Sequence, residues 1–216
     1  MNFDALVLDF DGTIADTNES IVLTMRDTLK YFGNEDISDE NITRLIGLPL
    51  YQMFKSIDGF KEENVDKAVN EYKLRYKNIC KNTVTLFDGV KSTLEYLYKK
   101  GVKLTIATSR GRDTLVLFLK ELGIEEFFTF IACCEDVEKH KPAPDVVNLV
   151  LENINVSKER ALVVGDTIYD VGMGNNAGCH SCAVTYGNNT LEELKSSNPT
   201  YIINKFEELI KIVECE

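Results

Sequence analysis

The chain alternates short apolar runs with longer amphipathic stretches. Almost wholly apolar runs lie at residues 5–8, 104–107, 130–133 and 161–164, without the polar alternation of a half-exposed strand. Such runs are typical of parallel strands that are buried on both faces of a sheet. They predict four strands, and residues 201–203 predict a short final one.

Helical patterns separate these runs. They lie at residues 90–100, 114–122, 145–153, 191–197 and 206–213. In the first, Val90, Leu94 and Leu97 share one face, and Gly101 follows as a residue able to end a helix with a positive φ. Strands alternating with helices predict a doubly wound α/β domain with a parallel sheet and right-handed crossovers.

One segment departs from this alternation. From about Asp16 to Thr83 there is no strand pattern, and helical patterns lie at residues 21–32, 39–46, 50–57 and 65–80. Ser38 is expected to cap the second of these helices. Because the segment follows the first strand, it is expected to fold as an all-helical cap over the sheet edge where open α/β sheets bind ligands. The predicted division is a core of residues 1–15 and 84–216 and a cap of residues 16–83.

Composition narrows the class of protein. Of 216 residues, 44% are hydrophobic and 27% charged, and the formal net charge is -11. This is the composition of a globular protein, and its acidity argues against nucleic acid or an anionic membrane as a partner. No window reaches the roughly 18 apolar residues of a membrane span, and no export signal begins the chain. We therefore expect a cytoplasmic protein.

The cysteines are spaced irregularly, which does not fit a disulfide framework in a chain of this size. The segment 179–182 spells C-x-x-C, which can mean a redox pair or half of a zinc site, but no second pair completes such a site. We expect reduced thiols at Cys80, Cys133, Cys134, Cys179, Cys182 and Cys215.

Candidate chemistry begins where the first strand ends. Asp9 and Asp11 are two residues apart, so their carboxylates emerge on the same side. One carboxylate can act as a nucleophile while the other exchanges protons with the leaving group and water. Gly12 lets the backbone approach a phosphate closely.

The run DFDGTI at residues 9–14 resembles the first motif of the haloacid dehalogenase-like hydrolase superfamily. Later segments agree in order and spacing: LTIATS at 104–109, HKPAPD at 140–145 and GDTIYD at 165–170. The resemblance extends to about residue 187 and implies a Rossmann-like core. The runs at 87–90, 108–112 and 135–138 are similar to those of its cap-bearing phosphoglycolate phosphatases and pyrophosphatases, although Ser109 stands where these often carry asparagine or lysine.

The resemblance implies roles for the matching residues. Asp9 would be the nucleophile, Asp11 the general acid and base, Thr108 the holder of a phosphoryl oxygen, and Lys141 the group that neutralises phosphate and nucleophile. Expected contacts of the substrate are Gly12, Thr108, Ser109 and Lys141.

The resemblance also implies a metal site. Its ligands would be the side chains of Asp9 and Asp166 and the backbone carbonyl of Asp11, with Asp170 in close support. Converging carboxylates repel one another unless a cation lies among them, and an oxygen-only ligand set suits Mg²⁺.

Arginines beside these motifs are further candidates. Arg110 and Arg112 could reach a second anionic group on the substrate, and Arg44 lies in the predicted cap. Arginines that open a helix after a loop are more often solvated, so we expect Arg110 and Arg112 to be exposed.

The predicted function is that of a Mg²⁺-dependent phosphatase, acting on a small phosphorylated metabolite through an aspartyl phosphate. The substrate would be a phosphoglycolate-like monoester or pyrophosphate. A phosphosugar mutase similar to β-phosphoglucomutase is an alternative, and a non-catalytic binding or regulatory module is another. Dehalogenation is disfavoured because Asp11 is present. Either a monomer or a dimer fits the sequence.

Overall fold

The computed structural model describes residues 2–34, 36–80 and 83–214. A parallel sheet lies at its centre. In chain order, the strands are β1 (Ala5–Leu8), β2 (Ala15–Asp16), β3 (Thr85–Leu86), β4 (Lys103–Ala107), β5 (Phe128–Ala132), β6 (Ala161–Gly165), β7 (His180–Val184) and β8 (Tyr201–Ile203). Six of these form the sheet in the order β5-β4-β1-β6-β7-β8, and every neighbouring pair is parallel.

The middle of this sheet is fully buried. Strand β1 lies between β4 and β6, with Leu6 in register with Leu104 on one side and Leu162 on the other. All three side chains are buried, as continuous apolar runs require. The strand order reverses direction at β1, which confirms the predicted doubly wound α/β fold.

Helices cover the sheet and fill the segment between β2 and β3. They are α1 (Asn18–Tyr31), α2 (Asp39–Thr43), α3 (Leu50–Lys55), α4 (Val65–Ile79), α5 (Val90–Lys99), α6 (Arg112–Glu121), α7 (Asp145–Ile154), α8 (Ile168–Ala177), α9 (Leu191–Ser196) and α10 (Glu208–Glu214). Ser38 caps α2 as predicted, because its side chain accepts a hydrogen bond from the N–H of Asn41. Gly101 follows α5 with φ 81°. Within the described ranges, no helix has both the length and the apolar character needed to cross a membrane.

The two connections of this helical segment lie side by side. Strands β2 and β3 pair antiparallel, with Ala15 opposite Leu86 and Asp16 opposite Thr85. The expectation of no strand from Asp16 onward is therefore wrong at its first residue. The pair is too short to produce a hydrophobic pattern, and it forms because the chain leaves and re-enters the sheet edge at neighbouring points.

The sequence analysis did not find α8 or β7. Helix α8 carries Gly172 and Gly174, which lower helix propensity. Both are needed for packing, since a Cβ would crowd Pro142 at the first and Val163 at the second. Strand β7 begins with His180, and its short apolar part gives little pattern, but it is held by parallel neighbours on both sides.

The structure describes the state of four cysteines that were expected to be reduced thiols. Cys133, Cys134, Cys179 and Cys182 are free thiols, so the C-x-x-C pair is not a disulfide. Cys215 lies outside the described residues.

Candidate active site

Three polar residues follow three neighbouring strands at one edge of the sheet. Asp9 comes directly after β1, Thr108 after β4 and Asp166 after β6. All three are buried. Because parallel strands end at the same edge, the fold gathers side chains that are far apart in the chain.

Lys141 lies between two carboxylates at this edge. Its Nζ donates to Oδ1 of Asp9 at 2.6 Å and to Oδ1 of Asp170 at 2.7 Å, and all three residues are buried. Burial lowers the pKa of Lys141, but the carboxylates of Asp170 and Asp9 outweigh it and hold the pKa above its ordinary value. Lys141 therefore remains a cation between two acids.

Asp170 fixes the start of α8 with its other oxygen. Oδ2 accepts from the backbone N–H of Thr167 at 3.0 Å and from its hydroxyl at 2.6 Å. The Thr167 hydroxyl accepts in turn from the Asp170 N–H, which completes a capping box. A Cβ at Gly165 would overlap the Asp170 side chain. The helix start and the glycine together hold this carboxylate beside Lys141.

Asp166 is held by donors from two loops. Oδ1 accepts from the hydroxyl of Thr13 at 2.9 Å, and Oδ2 accepts from the N–H and the side-chain amide of Asn188 at 2.7 and 2.8 Å. Burial and then the Asp170 carboxylate raise the pKa of Asp166 to about 7, against the lowering effect of these donors. The protein alone therefore does not compensate the charge of Asp166 fully.

The same imbalance holds at Asp9. Burial raises the pKa of Asp9 well above its ordinary value, although the Lys141 ammonium acts in the opposite direction and Asp170 and Asp166 add to the rise. One lysine faces three buried carboxylates here. This unmet negative charge is what a bound cation would neutralise.

The donor set fits a divalent metal ion. Asp9, Asp166 and Asp170 each offer a carboxylate oxygen, and these oxygens lie within 4.8 Å of one another. Oxygen-only sites of this kind suit hard cations such as Mg²⁺. The structure thus brings Asp9 and Asp166 together as predicted, and it adds the carboxylate of Asp170 at the same short range.

The carboxylate of Asp11 points elsewhere. Oδ1 accepts from the Thr17 hydroxyl at 2.7 Å and from Nη2 of Arg110 at 2.5 Å, and both oxygens accept from Nε of Arg110 at 3.0–3.1 Å. The acidic cluster of Asp9 and its partners does not include this carboxylate. The predicted roles of Asp11 as general acid, general base and carbonyl ligand stay predictions.

Arg110 corrects an expectation. We expected it to be solvated, and its side chain is only 7% exposed. The guanidinium carbon lies 5.7, 5.2 and 5.1 Å from the ring centres of Phe10, Tyr76 and Phe118, and Nη2 donates to the Tyr76 hydroxyl at 3.0 Å. Phe118 lies in the helix that follows Arg110, but Phe10 and Tyr76 are far away in the chain, so no local pattern could indicate this burial.

The other two arginines named as candidates, Arg112 and Arg44, are solvated. Arg112 is 45% exposed and pairs with Asp136, in agreement with the expectation. Arg44 is 62% exposed and pairs with Glu40 one helical turn away. Neither lies in the buried cluster.

The remaining predicted substrate contacts surround the same edge. Gly12 has φ 79°, and a Cβ there would overlap the side chains of Asp166 and Asn188. The Thr108 hydroxyl accepts from the N–H of Arg110 at 3.1 Å. The Ser109 hydroxyl donates to the carbonyl oxygen of Gly47 at 2.6 Å, so it joins the sheet edge to the helical segment. The predicted contacts of these residues with a substrate stay untested.

A cavity of about 330 Å³ opens beside Asp9. It is large enough for a small metabolite. Residues of the sheet edge and of the helical segment share its wall, among them Asp9, Asp11, Thr108, Arg110, Lys73 and Lys77.

Sequence analysis missed Asn188 and Tyr76. A signal for Asn188 existed, because it lies in a polar loop directly after β7, at the same edge as Asp9 and Asp166. Tyr76 gave no such signal, because an aromatic residue on a helical stripe is normally read as core.

Comparison with known proteins identifies the family of this chain. The profile of the haloacid dehalogenase-like hydrolase family matches residues 6–184. The chain is similar to pyrophosphatase PpaX of Bacillus velezensis, with 33% identity over 208 residues, covering 96% of this chain and 95% of the relative. It is similar to pyrophosphatase PpaX of Oceanobacillus iheyensis as well, with 32% identity over 213 residues, covering 99% and 98%.

A solved structure shares the fold over nearly the whole length. It is a haloacid dehalogenase-like family hydrolase from Streptococcus pneumoniae, with a TM-score of 0.87, 26% identity and 98% coverage of both chains. The chain therefore belongs to the haloacid dehalogenase-like hydrolase family, in its phosphatase branch.

Proposed function

We propose that this protein is a Mg²⁺-dependent phosphatase that transfers a phosphoryl group to Asp9 and then to water. The observation that carries the proposal is the buried contact of Asp9 with Lys141, inside the cluster with Asp166 and Asp170, at the point where Asp9 lines the cavity. An acidic nucleophile beside a fixed cation is an arrangement suited to attack on an anionic phosphate.

The side chains of Asp9 and Asp166 and the backbone carbonyl of Asp11 would hold the metal ion, with the carboxylate of Asp170 close beside them. When bound, Mg²⁺ would offset their negative charge and draw electron density from the phosphoryl oxygens. Lys141 would keep Asp9 ionised and lower the repulsion between the carboxylate and the incoming phosphate. Thr108, at the end of β4, would donate to a phosphoryl oxygen.

In the first half of the reaction, a carboxylate oxygen of Asp9 attacks phosphorus. A bond from that oxygen to phosphorus forms, and the bond from phosphorus to the leaving oxygen breaks. Asp11 enters this step as the carboxylic acid and supplies its proton to the leaving oxygen. The products are an aspartyl phosphate on Asp9 and the released alcohol or phosphate.

In the second half, water attacks the aspartyl phosphate. Asp11 takes back a proton from the water, the bond between Asp9 and phosphorus breaks, and inorganic phosphate leaves. Asp11 thus gives and regains one proton per turnover, so both carboxylates return to their starting states.

The substrate would be a small phosphorylated molecule. Pyrophosphate is one candidate, because two similar proteins bear the name pyrophosphatase. A phosphoglycolate-like monoester is the other, and the cavity volume of about 330 Å³ accommodates either.

Residues 16–83 would act as a cap that opens for substrate and closes for transfer. Supporting contacts cross from this segment to the sheet edge: Gly47 accepts from Ser109, and Tyr76 accepts from Arg110. Small-angle scattering with and without a substrate analogue tests the motion. A single compact form under both conditions would contradict it.

The test of the reaction is phosphate release from pyrophosphate, phosphoglycolate and phenyl phosphate, with Mg²⁺ and with a chelator. Asp9→Asn should lower turnover about 1,000-fold or more, because the amide is a poor nucleophile. Mass spectrometry after an acid quench should find phosphorylated Asp9 in the wild type.

The matched control is Asp58→Asn, an identical change at an exposed residue of the helical segment, and it should leave turnover unchanged. Near-normal turnover of Asp9→Asn would refute the proposal. With a sugar phosphate added to the panel, isomerisation without released phosphate would favour a mutase.

A further inference from the structure

Both oxygens of the Asp11 carboxylate accept hydrogen bonds. Its Oδ1 accepts from Thr17 and Arg110, and its Oδ2 accepts from Arg110. In this arrangement both oxygens are directed toward the guanidinium of Arg110. Asp11 must leave Arg110 before it can transfer protons in the proposed reaction.

Separating Asp11 from Arg110 is unfavourable. Its guanidinium is enclosed by the rings of Phe10, Tyr76 and Phe118, so water cannot solvate it freely. Among the described residues, Asp11 is the carboxylate that pairs with it. A buried cation that loses its anion is strongly unfavourable, so Asp11 leaves readily only when another anion replaces it.

The cavity can supply that anion. Arg110 and Asp11 line the same cavity as Asp9 and Thr108, so one cavity can hold a phosphate at Asp9 and a second anionic group at Arg110. The planar guanidinium fork matches phosphate and carboxylate oxygens. Lys73 and Lys77 of α4 add positive charge on the same wall.

We propose that Arg110 binds a second anionic group of the substrate, a phosphate or a carboxylate, and that this group displaces Asp11 and frees it for proton transfer. The inference rests on the proposed phosphatase function. It assigns the substrate to phosphorylated compounds whose leaving group is itself an anion. A phosphate ester with an uncharged leaving group cannot complete the exchange, so it leaves Asp11 bound to Arg110.

The activity test compares pyrophosphate and phosphoglycolate with phenyl phosphate in the wild type, Arg110→Met, Arg110→Lys and Arg112→Met. In Arg110→Met, the ratio of kcat/KM for each substrate with a second anionic group to that for phenyl phosphate should fall about tenfold or more. Arg110→Lys keeps the charge without the fork and should restore the ratio in part. Arg112→Met removes an exposed arginine two residues away and should keep the wild-type ratio. The pyrophosphate and phosphoglycolate arms distinguish a phosphate from a carboxylate as the second group.

A binding test does not depend on turnover. Isothermal titration of the metal-free protein should find tighter binding of methylenediphosphonate than of methylphosphonate in the wild type, and a smaller difference in Arg110→Met. Asp11→Asn removes the competing anion while Arg110 remains, so its affinity for methylenediphosphonate should rise about tenfold. A merely structural role for Arg110 predicts no such gain. The titration of Asp11→Asn still tests the exchange at Arg110 if Arg110→Met fails to fold.

The outcomes separate the two proposals. If the wild type hydrolyses these substrates but Arg110→Met changes all of them equally, the exchange at Arg110 is refuted while the phosphatase function stands. Unchanged affinity in Asp11→Asn also refutes the exchange. If the wild type hydrolyses none of them, the phosphatase function fails, and the titrations still judge Arg110 as an anion site.

Discussion

The ammonium nitrogen of Lys141 lies 2.6 Å from Oδ1 of Asp9, and both side chains are buried. This contact joins a loop before α7 to the end of β1, across 132 positions of the chain. It places one positive charge where three carboxylates meet. The stability and the chemistry of the site therefore depend on the same pair.

Replacing Lys141 should destabilise the metal-free protein. Lys141→Met leaves Asp9 and Asp170 buried and facing each other without their cation, which should lower the free energy of unfolding by about 3–5 kcal/mol. Urea denaturation in a chelator measures it. Lys139→Met, at an exposed position two residues earlier, should change the free energy by less than about 0.5 kcal/mol. Equal effects of the two changes would contradict the assigned role.

The metal-free protein should lose stability as the pH rises. The pKa of Asp166 is raised to about 7, above its ordinary value of 3.8, so between these values the folded state holds a proton that the unfolded state has lost. The resulting stability is fully present below the unfolded pKa and is lost as the pH rises through the folded pKa. The slope is about 1.4 kcal/mol per pH unit for one proton.

Asp166→Asn isolates this contribution. In a chelator, the wild type should lose more stability than the variant between about pH 5 and pH 7, as measured by urea denaturation. Added Mg²⁺ should stabilise the wild type more strongly at the upper end of this range, because the proton and the metal ion compete for one carboxylate. Parallel pH profiles in a chelator would disprove the raised pKa.

Gly12 should tolerate no side chain. A Cβ would overlap the carboxylate of Asp166 and the amide of Asn188, so Gly12→Ala should shift the site and lower kcat/KM about a hundredfold. Gly59 has a similar φ of 75°, and no atom lies within 4 Å of the point that a Cβ would occupy there. Gly59→Ala therefore carries the same backbone strain without the overlap, and it should keep the wild-type kcat/KM. Steady-state assays of both variants decide between strain and overlap.

The thiols of the C-x-x-C segment should be unreactive. Burial raises the pKa of Cys179 to about 11 and that of Cys182 to about 12, whereas redox-active pairs have lowered values. Because the thiolate is the reactive form, both should be alkylated slowly at about pH 8 in the native protein and rapidly in guanidinium. Residue-resolved mass spectrometry measures the rates. Fast native labelling of either thiol would revive the redox interpretation.

Part of the fold could be predicted because it depends on local sequence patterns. The apolar run at Ala5–Leu8 was identified as β1 with its bounds as observed, since a strand buried on both faces needs uninterrupted apolar residues. Helix α8 was missed because Gly172 and Gly174 are poor helix formers, and their value lies in contacts with Pro142 and Val163.

The sequence by itself determined five of the six strands of the central sheet and the polar residues that follow β1, β4 and β6, because periodicity and position after an apolar run are properties of the chain alone. Asp9, Thr108 and Asp166 were identified in this way, with their family motifs. Only the tertiary structure decided that Arg110 is buried and holds Asp11. The burial of a long polar side chain depends on what surrounds it, and here the rings of Phe10, Tyr76 and Phe118 arrive from three separate elements.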